Sequence, residues 1–337
     1  MSQIKHSQPK IERVERALAR LSGLESACSL CPRECRVDRR RGAEGFCRSG
    51  SRAALSSALL HFGEEPILSG YQDWNKQKAG SGRPRAGSGT IFFTGCNLKC
   101  LFCQNYQISW LQEGREVSDE ELAGLMLGLQ EQGALNINLV SPTHMILPIL
   151  RALRLALGRG LSLPIVYNGN GYEKVEVLEN LDGIVDLYLP DLKYFSPRVS
   201  EALSGAADYF EMASRAIQEM ARQQPELVLN ESDVAQRGLI IRHLVLPHYH
   251  RESLLLLEWL KTKLPPGFCL SLMSQYHPCY RAPEEIRRKL TRSEYTEVSA
   301  AAERLEFDHV YIQPEAFGPD DHFLPDFDRE DPFGRDE

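Results

Sequence analysis

The 337-residue sequence has no run of roughly 20 consecutive apolar residues, so it offers no membrane-spanning helix. Its opening, MSQIKHSQPKIERVERALAR, lacks the apolar stretch of a secretory signal, so none is expected. Basic charge is not in excess: 39 Lys and Arg stand against 46 Asp and Glu, for a net charge of −7. No nucleic-acid partner is therefore expected. No internal repeat is visible. Apolar residues at 42% and charged residues at 25% are ordinary values, which exclude disorder, collagen and coiled coil for the bulk of the chain. The expected setting is the cytoplasm, where thiols stay reduced.

Cysteine is what the sequence has in quantity. There are nine, an odd number, and seven fall into two tight groups: Cys28, Cys31, Cys35 and Cys47, then Cys96, Cys100 and Cys103. Clustered thiols in a reducing compartment read as metal ligands before they read as disulfides.

Four regions are expected. Residues 1–60 hold a polar helix, with Ile11, Val14, Leu18 and Leu21 at helical spacing, and a basic Cys-rich segment. That segment has too little apolar material for a core of its own, so a metal is expected to hold it. RAALSSALLH at 52–61 is ambiguous between helix and strand. Residues 61–89 read as a connection, with a turn at GEEP (63–66) and a Gly/Ser/basic loop from 71. From 90 to 315 short apolar runs alternate with helical patterns. The runs are IFF (91–93), NINLV (136–140), PIVYN (164–168), IVDLYLP (184–190), GLIIRHLVLP (238–247), FCLSLMS (268–274) and HVYIQ (309–313). About seven parallel βα units follow. A closed or partial β/α barrel fits, with a doubly wound open sheet as the alternative. Ser118 and Glu121 form a capping box for the helix at 118–133. The tail 316–337 is acidic and Pro-rich, extended on the body or loosely held.

The run Cys96-Asn97-Leu98-Lys99-Cys100-Leu101-Phe102-Cys103 follows the strand IFF through Thr94-Gly95. In a parallel barrel that loop lies at the C-terminal mouth, where active sites are built. Three thiolates so close can bind one metal centre, and cysteine thiolates are the usual ligands of iron–sulfur clusters. This spacing after a first strand, with Phe102 before the last Cys, resembles the radical S-adenosylmethionine (SAM) superfamily. GSGTIFFTGCNLKCLFCQNYQIS (87–109) resembles the uncharacterised relatives of pyruvate formate-lyase activating enzyme. The resemblance spans residues 28–47 and 60–320.

The resemblance implies a partial β/α barrel and a 4Fe–4S cluster on Cys96, Cys100 and Cys103. It implies reductive cleavage of SAM to a 5′-deoxyadenosyl radical that takes hydrogen from a substrate. It implies an electron donor such as a flavodoxin or ferredoxin, and a possible protein substrate activated as a glycyl radical. A small-molecule substrate, or a binding or electron-transfer role without catalysis, are the alternatives. Relatives carry Gly-Gly-Glu after the second strand. Here that place holds Ser141-Pro142-Thr143, so Ser141 and Thr143 become SAM candidates, against a plain helix start at Ser141-Pro142. Asn168 and Asn170 in Asn168-Gly169-Asn170-Gly171 are further candidates. So is Asp191 in Asp191-Leu192-Lys193, against simple pairing with Lys193 or Arg242. Arg242 is expected to approach SAM, whereas His248 and His250 read as loop histidines. Cys28, Cys31, Cys35 and Cys47 suit either a zinc site or an auxiliary iron–sulfur cluster. Cys269 reads as core, and Cys279 as a loop or core residue near the cavity.

Overall fold

The computed structural model describes residues 2–70, 87–314, 324–329 and 331–334. The loop expected from residue 71 lies outside the described residues as far as 86. Helix α1 (Ser2–Leu21) buries Val14, Ala17 and Leu21. Its Lys10 reaches Asp186 at 2.5 Å. The Cys-rich segment follows. Strand β1 (Ala53–His61) resolves the ambiguity at 52–61 in favour of strand. A bulge between Leu55 and Ser57 breaks its two-residue period. Helix α2 (Pro66–Ser69) follows Glu64 and Glu65.

Strand β2 (Ser88–Phe93) is buried throughout and begins inside the segment expected to be loop. The remaining strands are β3 (Arg115–Val117), β4 (Ile137–Val140), β5 (Ile165–Gly169), β6 (Leu187–Pro190), β7 (Val228–Leu229), β8 (Ala235–Leu244), β9 (Cys269–Met273) and β10 (His309–Ile312). The helices between them are α3 (Tyr106–Ser109), α4 (Asp119–Glu131), α5 (Ile146–Gly158), α6 (Val175–Leu178), α7 (Pro197–Ser204), α8 (Tyr209–Gln223), α9 (His250–Lys263) and α10 (Arg292–Arg304). The expected capping box starts α4, with Ser118 Oγ accepting from the Glu121 amide at 3.1 Å.

One mixed sheet has the order β10-β9-β8-β6-β5-β4-β2-β1-β3, with β7 beside β8. The seven strands from β10 to β2 are mutually parallel; β1, β3 and β7 pair antiparallel. Among the described residues the sheet does not close into a barrel. It is the open form of the expected α/β architecture, with the Cys-rich segment beside it.

Alternation along the strands separates two faces. Ile91, Phe93, Leu139, Tyr167, Tyr188, Ile241 and Leu270 enter the main core with the helices. The opposite, inner face carries Phe92 and Val140 in one cluster, and Val166, Leu187, Leu189, Ile240 and Cys269 in another. Leu68 of α2 packs on the latter. Cys269 is a core residue, as expected. No described helix is long and apolar enough to cross a membrane.

Candidate cofactor site

The loop after β2 starts from Gly95, whose φ of +78° favours glycine. A Cβ there would meet the Cys47 carbonyl oxygen at 2.6 Å. The loop is pinned from several elements. The Leu101 amide donates to Leu203 O at 2.9 Å, the Trp110 indole to Cys100 O at 3.0 Å, and the Arg281 amide to Leu101 O at 3.0 Å. Cys279 Sγ donates to Phe102 O at 3.3 Å, which places it against this loop.

Each sulfur of the loop has a polar partner. Asn170 Nδ2 donates to Cys96 Sγ at 3.3 Å, and the Leu98 amide does so at 3.4 Å. Ser204 Oγ donates to Cys100 Sγ at 3.1 Å. Cys103 Sγ and Ser109 Oγ lie 3.2 Å apart. Burial, then the neighbouring Cys100, pushes the Cys96 thiol up to about 11 and the Cys103 thiol up to about 12. Without a metal these are protonated thiols. Two cations stand close: Lys193 beside Cys100, and Lys99 beside Cys96, Cys47 and Cys103. Among the described residues no three His, Cys, Asp or Glu side chains form a ready-made metal-ion site. The fit to a cluster rests on the donor set. Three thiols from one loop, each with a hydrogen-bond partner and two lysines nearby, are what a thiolate-ligated cluster requires.

The expected SAM residues fall into two groups. Ser141 and Asn168 lie at the C-terminal strand ends, joined by a Ser141 amide to Asn168 O bond of 2.9 Å. Ser141 has φ +59°, so it is no helix N-cap; α5 starts only at Ile146, after a 3₁₀ turn. Asn170 belongs to the cluster loop's support, since its Nδ2 also donates to Asn97 Oδ1 at 2.7 Å. Asp191 pairs with Lys193 at 2.6 Å.

Thr143 and Arg242 are engaged elsewhere. Thr143 Oγ1 donates to Glu173 at 2.6 Å in the buried core. Arg242 forks onto Glu65, at 2.8 and 2.6 Å, and also binds Glu64. Its partners are these two glutamates rather than Asp191, which meets it only through a backbone bridge. Ser109, Ser204, Glu64, Glu65 and Glu173 were not singled out by the sequence. No spacing signal marks a serine that meets a cysteine 104 residues away.

All nine cysteines are free thiols. In the N-terminal group Cys28, Cys31 and Cys47 are buried. The Phe46 amide donates to Cys35 Sγ at 3.2 Å. Gly45 is required there, because a Cβ would lie 2.8 Å from that sulfur. Burial drives the Cys31 thiol far up, and the charges of Cys47, Cys28 and Cys35 add to it. The segment docks on the cluster loop through Arg33 Nε to Asn97 O at 2.9 Å and Gln112 Nε2 to Cys47 O at 3.3 Å.

Residues 90–231 match the family model of the radical SAM superfamily. An uncharacterized protein of Methanocaldococcus jannaschii is 31% identical over 296 residues, which cover 84% of this chain and 76% of that relative. Residues 90–231 thus form a domain of the radical SAM superfamily, a family that implies a 4Fe–4S cluster and SAM. Among solved structures it is similar to Streptococcus suis SuiB bound to S-adenosylmethionine, at 13% identity and TM-score 0.41, over 65% of this chain and 48% of that one. It is also similar to native anSMEcpe with bound AdoMet, at 13% identity and TM-score 0.44, over 65% of this chain and 61% of that one. The chain thus spans about half the length of SuiB and about three fifths of anSMEcpe.

Proposed function

We propose that this protein cleaves SAM reductively at a cluster held by Cys96, Cys100 and Cys103, and that it acts on a protein substrate as a glycyl-radical activase. The observation that carries the reading is the loop itself: three cysteines after the first parallel strand, each sulfur met by a side-chain hydroxyl or amide. When bound, the cluster supplies the electron that breaks the sulfonium bond of SAM and so yields a 5′-deoxyadenosyl radical.

The chain's own residues have separate tasks in this reading. Asn170, Ser204 and Ser109 hold the three sulfurs. The Lys193–Asp191 pair sets the charge beside Cys100. Ser141, Asn168 and Asp191 offer polar groups to SAM at the strand ends, where ligands of open α/β sheets bind. Thr143 and Arg242, tied to glutamates, act as supports. Cys28, Cys31, Cys35 and Cys47 hold zinc or an auxiliary cluster that fastens the N-terminal segment to the loop. A flavodoxin or ferredoxin supplies electrons.

The test is 5′-deoxyadenosine formation by anaerobically reconstituted protein with SAM and a strong reductant, with Cys100→Ala as control. Product from wild type and at least a hundredfold less from the variant is expected. No product from wild type carrying its full iron and sulfide would overturn the reading in favour of a binding or electron-transfer role.

A further inference from the structure

The inner face of the sheet is occupied by the protein's own C-terminal segment. Phe327 is buried against Phe92 of β2 and Ile108 of α3, with ring centroids of Phe92 and Phe327 at 5.4 Å. Phe333 lies 5.5 Å from the Phe92 ring and 4.1 Å from that of His61. Val140 completes this patch, and its register partner on β5 is Asn168. The patch therefore adjoins the strand ends that carry Ser141 and Asn168.

Its anchor is Gln107. The Phe327 backbone amide donates to Gln107 Oε1 at 3.0 Å, and Gln107 Nε2 donates to Asp326 Oδ1 at 3.3 Å. Gln107 lies two residues before Ser109, the partner of Cys103. Gln107 thus meets one main-chain amide and one acidic side chain of a segment that turns through an Arg329 amide to Asp326 O bond of 3.1 Å. The aromatic patch then selects a large ring. These are the two parts of a peptide site, backbone bonding for affinity and a side-chain pocket for choice.

One acidic contact opposes this seating. Asp326 and Asp328 face Glu113, whose carboxyl is raised by burial and then by Asp328. Asp326 is itself paired with Arg329 at 3.0 Å, so the opposition to the segment comes from Asp328 against Glu113.

We propose that this cleft, lined by His61, Phe92, Gln107, Ile108 and Val140, is the site for a peptide substrate. Residues 324–329 and 331–334 act as a displaceable stand-in for a turned peptide segment bearing an aromatic side chain. The proposal rests on the reading of a protein substrate but can fail separately from it.

The probe is a fluorescently labelled synthetic peptide of residues 324–334, measured by anisotropy on anaerobically reconstituted chains. It is expected to bind a chain ending at residue 323 at least tenfold more tightly than the full chain. Full-length Phe327→Ser, which keeps every other residue, should bind the peptide almost as well as the truncated chain. Gln107→Ala in the truncated chain should lose that binding while keeping its iron. Equal weak binding to all chains, with iron content intact, would overturn the proposal and leave the segment a fixed structural cover. 5′-Deoxyadenosine is measured in the same samples. Peptide binding without product would sink the enzymatic reading and spare the site; product without peptide binding would do the reverse.

Discussion

Replacing Arg242 with Met should destabilise the protein by about 4 kcal/mol at neutral pH, because it strands two buried carboxylates. The Arg242, Glu64 and Glu65 side chains are 15%, 7% and 6% exposed, so water cannot take over the guanidinium's role. At an effective dielectric of ~20, each contact pair contributes roughly 4 kcal/mol of attraction before desolvation. Breaking a buried pair from one side typically costs about 3–5 kcal/mol. Two carboxylates lose their cation here and retain only weaker donors: Asn138 Nδ2 on Glu64 at 2.8 Å and Ser271 Oγ on Glu65 at 2.8 Å. Burial alone would raise the Glu65 carboxyl, but the charge and hydrogen bonds of Arg242 overcome it and hold the group below its ordinary value. Its contribution is therefore present above the unfolded carboxylate pKa and lost as the pH falls below it. In the variant burial raises the Glu65 carboxyl unopposed by that charge, so it is least costly when protonated. Both effects have the same sign, and the gap between variant and wild type must narrow toward acid pH. Urea midpoints of metal-free protein at pH 7.5 and pH 4.5 read this directly. The triple variant Arg242→Met, Glu64→Gln, Glu65→Gln should recover most of the loss, since it removes every charge at once. A single-variant deficit below about 1 kcal/mol, or one that grows at acid pH, would refute the reasoning.

Two further substitutions probe the ground beside the site. Burial raises the Glu173 carboxyl to about 7, although Thr143 and Tyr167 both donate to it. A raised acid stabilises the fold at low pH, so up to about 3 kcal/mol should be lost as pH climbs from the unfolded value toward 7. Glu173→Gln should flatten that slope in a pH series of urea midpoints; an unchanged slope would assign it to other groups. Gly171 has φ +82°, and a Cβ there would land on the Asp191 carbonyl oxygen, whereas Gly205, at φ +63°, has open space. Gly171→Ala should thus cost about 3 kcal/mol or more and lower iron retention by shifting Asn170, while Gly205→Ala costs only about 1–2 kcal/mol of backbone strain. Equal losses in the two variants would show that strain alone decides.

The parallel strands from β2 to β9 were legible as short apolar runs covered on both faces, whereas β10 is exposed along most of its length. The three-cysteine loop was legible because its thiols stand in a tight spacing straight after a strand. What escaped depends on partners distant in sequence. Glu64 and Glu65 read as part of a turn, yet their cation lies on β8, 177 residues beyond Glu65. Glu173 sits in what reads as a helix start, and only Thr143 and Tyr167 reveal it as a buried acid. Strand β1 defeated periodicity because its bulge shifts the alternation in mid-strand. The tail gave no sign of Phe327, since an acidic Pro-rich composition says nothing about one aromatic anchor.

The two cysteine groups form one assembly rather than two neighbouring devices. The N-terminal segment lacks an apolar core, and what ties it down is cation to carbonyl. Buried Arg39 donates to Ser49 O at 3.0 Å, to His144 O at 2.7 Å and to Gly50 O. Arg33 stacks over Phe46 at 3.9 Å while bonding to the cluster loop at Asn97. A buried guanidinium whose partners are neutral carbonyls gains further from negative charge nearby. Metal-bound thiolates supply that charge, whereas protonated thiols do not. Lys99, whose pKa is lowered by its burial and opposed in that by Cys96 and Cys47, stands between the two groups. The Cys47 carbonyl against Gly95 and the Asn97 carbonyl on Arg33 join the segment to the loop whatever fills either group.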